Sequence, residues 1–168
     1  MSNSIDSLDE KAINWRNMGV RRERRFEPLM KILTTGEKVI FKHLKDIMVF
    51  AAMVGFSNNN RKALKAGDTI PITLGTYESD NQDCFIYLLS IMTLKDGNCL
   101  RDENLQESIK IFEEYCNAGL ETINDWIEDN DNKKPAVDVL LDNIYGKLCD
   151  NKSKDGFIDN SELELPPL

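Results

Sequence analysis

The chain has 168 residues, 41% apolar and 30% charged, which fits one folded, soluble domain with its own core and excludes a disordered polymer. Its net charge of −8 hides an asymmetry: residues 1–65 carry 13 Lys and Arg against 7 Asp and Glu, whereas residues 66–168 carry 8 against 22. No apolar run approaches the roughly 18 residues that suggest a membrane span, and the polar, acidic start MSNSIDSLDE reads as neither a secretory signal nor a transit peptide, so the expected location is cytoplasmic.

Taken in chain order, residues 1–19 read as an N-terminal arm or short helix, 20–149 as a helical core domain and 150–168 as a polar C-terminal tail. After Gly19 the arginines Arg21, Arg22, Arg24 and Arg25 crowd the front of a segment in which Phe26, Leu29, Met30 and Leu33 recur at helical spacing. The cluster is therefore expected to be an arm or first turn leading into a helix, with Pro28 near its start. Thr34-Thr35-Gly36 reads as a stop. The strongest helix spans 41–55, apolar around most of its circumference, with Gly55 placed as a left-handed C-terminal cap and three asparagines taking the following turn.

Asp68 to Tyr77 combines β-branched residues, Pro71 and Gly75, which predicts one short extended segment near 69–76. Asp80 or Asp83 then caps CFIYLLSIMTLK, a second mostly buried helix. A long amphipathic helix follows over 104–129, with Asp102 as its N-cap and Gly119 as an interruption or kink. Pro135 suits the first turn of a last helix, 136–148. The sum is a mainly α, single compact domain of five to six helices.

Catalytic chemistry finds little material. His43, the single histidine, sits beside Lys42 and Lys45 and reads as a surface or capping residue. No glycine pattern makes a phosphate cradle. The cysteines at 84, 99, 116 and 149 form no C-x-x-C pair and read as reduced thiols without a shared metal site. The acidic residues after 78 read as a solvated face. No enzyme activity, metal or other cofactor is expected. Asn151 to Glu162 resembles a calcium loop, with Asn151, Ser153, Asp155, Gly156, Asp159 and Glu162 in register; an amide at its first position and Pro166 behind it favour a polar tail turn.

The basic set is the stronger lead. Arg21, Arg22, Arg24, Arg25, Lys42, Lys45, Arg61 and Lys62 are the candidate contacts to nucleic acid or to a partner, with the arginine cluster and the loop after Gly55 sharing one surface. Such cations would bind phosphates with salt-sensitive, largely sequence-independent affinity. No helix-turn-helix, zinc finger or aromatic platform accompanies them. An acidic protein partner is the competing reading.

The order RRERRFE, FKHLKDIMVFAAMVGF, a polar loop with Arg61, CFIYLLSIM and IFEEYCNAGLETI resembles DNA-phosphorothioation (Dnd) system-associated protein 4, a family of small bacterial proteins. The resemblance covers roughly residues 20–148 and supplies no catalytic residues. It implies a non-enzymatic accessory role in anti-phage defence, with larger subunits of a defence complex, or the DNA backbone, as partners. The alternatives are a small DNA-binding regulator of a defence operon and, more remotely, a calcium-binding module.

Overall fold

The computed structural model describes residues 14–35, 39–131 and 133–154. Residues 1–13 of the expected arm and 155–162 of the calcium-loop pattern lie outside the described residues. Strand β1 (Gly19–Glu23) leads through a 3-10 turn, Arg24–Phe26, into α1 (Glu27–Thr34); α2 (Leu44–Ser57), β2 (Thr69–Thr73), α3 (Leu74–Glu78), α4 (Cys84–Leu94), α5 (Leu105–Glu128) and α6 (Ala136–Lys154) follow. The fold is mainly α, as the periodicity implies.

The arginine cluster departs from its expected form. Gly19 to Glu23 is extended and pairs antiparallel with β2, Gly19 opposite Thr73 and Glu23 opposite Thr69. The reason lies in β2 itself: an extended segment needs somewhere to place its backbone groups, and β1 supplies the ladder. Pro71 is tolerated because a two-stranded ribbon has only edge strands. The extended stretch is also shorter than expected. It ends at Thr73, and the next five residues turn into α3, which buries Leu74 and Tyr77.

Helix α2 begins at Leu44 rather than at Phe41 because His43 is extended and the Asp46 carboxylate accepts its backbone N–H at 3.1 Å. His43 is thus a capping residue. The expected cap at Gly55 is overturned: Gly55 lies inside α2, and Asn58 follows the last turn. The asparagines do make the turn, Asn59 at a φ of 50°. A Cβ at Gly55 would fall 2.1 Å from the Tyr115 carbonyl oxygen, and one at Gly119 1.7 Å from that of Ala51. The two glycines are where α2 and α5 meet backbone to backbone, so Gly119 is neither interruption nor kink.

The 24-residue α5, about 36 Å long, is the axis of the molecule, packing against α2, α4, α6 and β1. Asp102 is not its cap but part of a preceding 3-10 turn, Asp102–Asn104. Around α5 the core gathers Met48, Tyr77, Ile86, Leu89, Phe112, Leu120 and Ile123. The Tyr77 hydroxyl points at Met48 Sδ, 3.1 Å away, and its ring meets Phe112 edge-on. Helix α6 runs six residues beyond the predicted end, to Lys154, so the first four positions of the calcium-loop pattern are helical backbone. Among the described residues, no helix is long and apolar enough to cross a membrane.

Candidate interaction surface

The centre of the basic region is a buried polar node. Asn117, on α5 among apolar neighbours, donates through Nδ2 to Glu23 Oε1 at 3.1 Å and to the carbonyls of Lys62 and Ala63 at 3.2 and 3.3 Å. Glu23 Oε1 also accepts the Lys65 backbone N–H at 2.8 Å, and Arg25 donates to the other carboxylate oxygen. Strand, loop and helix are thereby tied at one point. Burial alone would raise the Glu23 carboxyl; the Lys65, Arg25 and Asn117 hydrogen bonds outweigh it and hold the group below the ordinary glutamate range.

The loop after α2 is laced along α5 by charge. Arg61 pairs with Glu114 at 2.6 Å and lies 5.5 Å over the Tyr115 ring. Lys62 pairs with Glu121 at 2.6 Å, and Arg25 reaches the same carboxylate at 3.4 Å. The hydrogen bond from Lys62, with the two cations nearby, pulls Glu121 below the usual carboxylate range. The arginine cluster and the loop do share a surface, but its bridge is an acidic side chain of this same chain. Arg24 pairs with Asp68 at 2.9 Å.

Two of the eight candidates are not on the surface. Arg22 is only 2% exposed; it donates to Glu27, while its Nε and Nη1 have no hydrogen-bond partner among the described residues, and its charge acts on the buried Tyr77 hydroxyl and Cys116 thiol. Lys45 is 4% exposed, with its Nζ on the Thr76 carbonyl, the Ser79 hydroxyl and Asp80. That lysine draws the Asp80 carboxyl below its ordinary value. Among the described residues, Arg21, Lys31, Lys42 and Lys65 have side chains without an ion-pair partner.

Arg21 borders an open cleft of about 590 Å³ between β1, the loop and α5, together with Lys110, Glu113 and Glu114. Its backbone N–H donates to Glu113 Oε1 at 2.6 Å. Burial pushes the Glu113 carboxyl above its ordinary value against that bond. The cleft is of mixed charge, two cations facing two acids. Lys42 borders a separate hollow beside Lys45 and Asp80. Among the described residues no group of three or more His, Cys, Asp or Glu side chains is arranged to hold a metal ion.

The acids of α5 are what residue counting missed. Glu113, Glu114 and Glu121 read as a solvated face, yet Glu113 and Asn117 are buried and Glu114 and Glu121 hold the loop. One signal was available: Leu105, Ile109, Glu113 and Asn117 stand four apart, so the two polar residues continue a row that begins apolar.

No curated protein and no solved structure matches the chain. The family model of DNA sulphur modification system-associated protein 4 matches residues 19–158, from the first residue of β1 through every element described above. The chain therefore belongs to the DNA sulphur modification system-associated protein 4 family.

Proposed function

We propose that this chain is a non-enzymatic accessory subunit of an anti-phage system built on DNA phosphorothioation, and that it works by contact with another protein of that system rather than by gripping DNA. The family membership supports the system. The observation that favours protein over DNA is the engagement of the cations. Arg22 and Lys45 are buried, and Arg24, Arg25, Arg61 and Lys62 already face acids within the chain. Phosphate binding gains its free energy by releasing counterions from the nucleic acid. Cations already neutralised by carboxylates must first give up those pairs. Arg21, Lys31, Lys42 and Lys65 remain for a weaker, salt-dependent touch of the backbone.

The test is capture of partners by the tagged chain from its native host, with and without nuclease. Retention of system proteins after nuclease is the expected result; their loss would favour DNA binding. Replacing Arg21, Lys42 and Lys65 together by Ala is expected to leave capture unchanged. A regulator of the operon would instead select one duplex over random sequence, and equal affinity for both would remove that reading.

A further inference from the structure

We infer that the outer edge of β1 is a docking site for an extended segment of another protein, which enters the cleft beside α5 and pairs main chain to main chain with Gly19 and Arg21. Such a segment would come from the partner proposed above, and only in that respect does the site depend on that reading. The register of the ribbon defines the edge. The Met18 carbonyl accepts the Leu74 N–H at 2.8 Å, and the Arg24 N–H donates to the Asp68 carbonyl at 3.0 Å. With Gly19 opposite Thr73 and Glu23 opposite Thr69, those bonds make Met18, Val20, Arg22 and Arg24 the positions that bond across to β2. The N–H and C=O of Gly19, Arg21 and Glu23 therefore point the other way, out of the ribbon. The Arg21 N–H bears this out, because it lands on Glu113 of α5 at 2.6 Å.

The two edges of the ribbon are not equally closed. An open edge invites another strand, and proteins commonly block it. On β2 the central outward position is Pro71, which has no N–H to offer. On β1 the central N–H is held by the Glu113 carboxylate, which stands where the carbonyl of a neighbouring strand would stand. The Gly19 N–H and C=O and the Arg21 C=O have no hydrogen-bond partner among the described residues. Both residues border the cleft of about 590 Å³, and Met18, Leu64 and Ile109 give it an apolar lining. Glu113, 8% exposed, has a second carboxylate oxygen without a hydrogen-bond partner among the described residues, able to accept a further N–H. That inventory chooses the occupant. Two cations and two acids cancel, so neither a phosphate nor a polycation is favoured. A donor and acceptors at strand spacing match another main chain, in which N–H and C=O groups alternate. The apolar lining receives the side chains that such a segment turns inward at every second residue.

The test is a nuclear magnetic resonance titration of the isotope-labelled full chain with a capped hexapeptide alternating valine and threonine. The expected result is saturable shifts at Gly19, Arg21 and Ile109. Amide exchange at Gly19 is expected to slow at least about tenfold at saturation, while that of Val20, already bonded to Ile72, stays as it was. Glutamate or lysine in place of the threonines is expected to change the affinity by less than about threefold, because the charges of the cleft cancel. N-methylation of every second residue removes the N–H groups along one edge of the peptide. One of the two alternating sets is expected to abolish binding and the other to be tolerated. Gln106→Trp, at an exposed position of α5 bordering the cleft, fills it and is expected to weaken binding at least about tenfold, with unchanged helical circular dichroism. No saturable shift at Gly19 up to about 5 mM peptide overturns the inference, as does binding indifferent to both N-methylated sets. A strong preference for one charge, or the same shifts raised by a single-stranded dodecanucleotide, would make the cleft a charge or nucleic-acid site and overturns it as well. The titration needs no protein from the host, so its failure is distinct from a failure of nuclease-resistant capture.

Discussion

Helices α2 and α4 are both written almost wholly in apolar residues, but α2 buries eight of its fourteen residues and α4 three of its eleven. What separates them is how α5 receives each one. Toward α2, α5 offers Gly119, and α2 answers with Gly55, so the backbones touch, and Phe56 of α2 meets Tyr115 of α5 edge-on. Toward α4 it offers Ser108, whose hydroxyl contacts that of Ser90 at 3.0 Å and donates to the Cys99 carbonyl at 3.1 Å. That contact fixes one side of α4, while Leu88 and Met92 on the other side stay exposed. An apolar stretch says that a helix wants burial; it does not say how much of it the chain itself will bury.

The strongest way to break the contrast is Gly119→Ala. The new Cβ would meet backbone, 1.7 Å from the Ala51 oxygen and 2.5 Å from its carbon, so no side chain can yield to it. A loss of about 4 kcal/mol is expected, seen as a fall of roughly 8–16 °C in the midpoint of thermal unfolding. Next comes a matched pair. Met48→Ala, fully buried in α2, is expected to cost about 3 kcal/mol. Met92→Ala, half exposed on α4, is expected to stay within about 0.5 kcal/mol in dilute solution. Equal losses in chemical denaturation would mean that the bare face of α4 is covered within the monomer.

Asn117→Leu probes the polar side of the same α5. It removes the donor to Glu23 and to two loop carbonyls, at an expected cost of about 2 kcal/mol. Hydrogen exchange is expected to speed up at the Lys62 and Lys65 amides while those of the α2–α5 crossing stay protected. A smaller, pH-dependent effect belongs to Glu23. Its folded-state value lies below the ordinary 4.5, so its contribution to stability is fully present above that value and is lost as pH falls through the lower folded value. Glu23→Gln is expected to cost about 1 kcal/mol at neutral pH, and the gap to the wild type is expected to close on acidification below pH 4.5. Glu113, raised by burial, carries the opposite sign: its contribution is present below the ordinary value and lost as pH rises through the folded one. Glu113→Gln is therefore expected to be no less stable than wild type at neutral pH, checked by the same denaturation series.

Much of the architecture is legible in the one-dimensional pattern, because helical periodicity is a local property. The apolar rows of α2, α4 and α5, the capping role of His43, the asparagine turn and the extended stretch at β2 all follow from residues within a few positions of one another. Glycine misleads at Gly55 and Gly119 for the same reason. A glycine that ends a helix and a glycine that lets two helices touch look identical until the second helix is in place. The arginine cluster misleads in a related way, since nothing in VRRERRF announces a strand whose partner begins some fifty residues later.

The helical class, the core-forming apolar rows, the basic-then-acidic division of charge and the family are all written in the order of the residues. Where those charges go depends on how the chain folds back on itself. Pairing across 53 residues between Arg61 and Glu114, and across 59 between Lys62 and Glu121, turns an apparent basic face into an internally neutralised seam. Coulombic partners are chosen by distance in space, at a few ångströms, and separation along the chain carries almost no information about it.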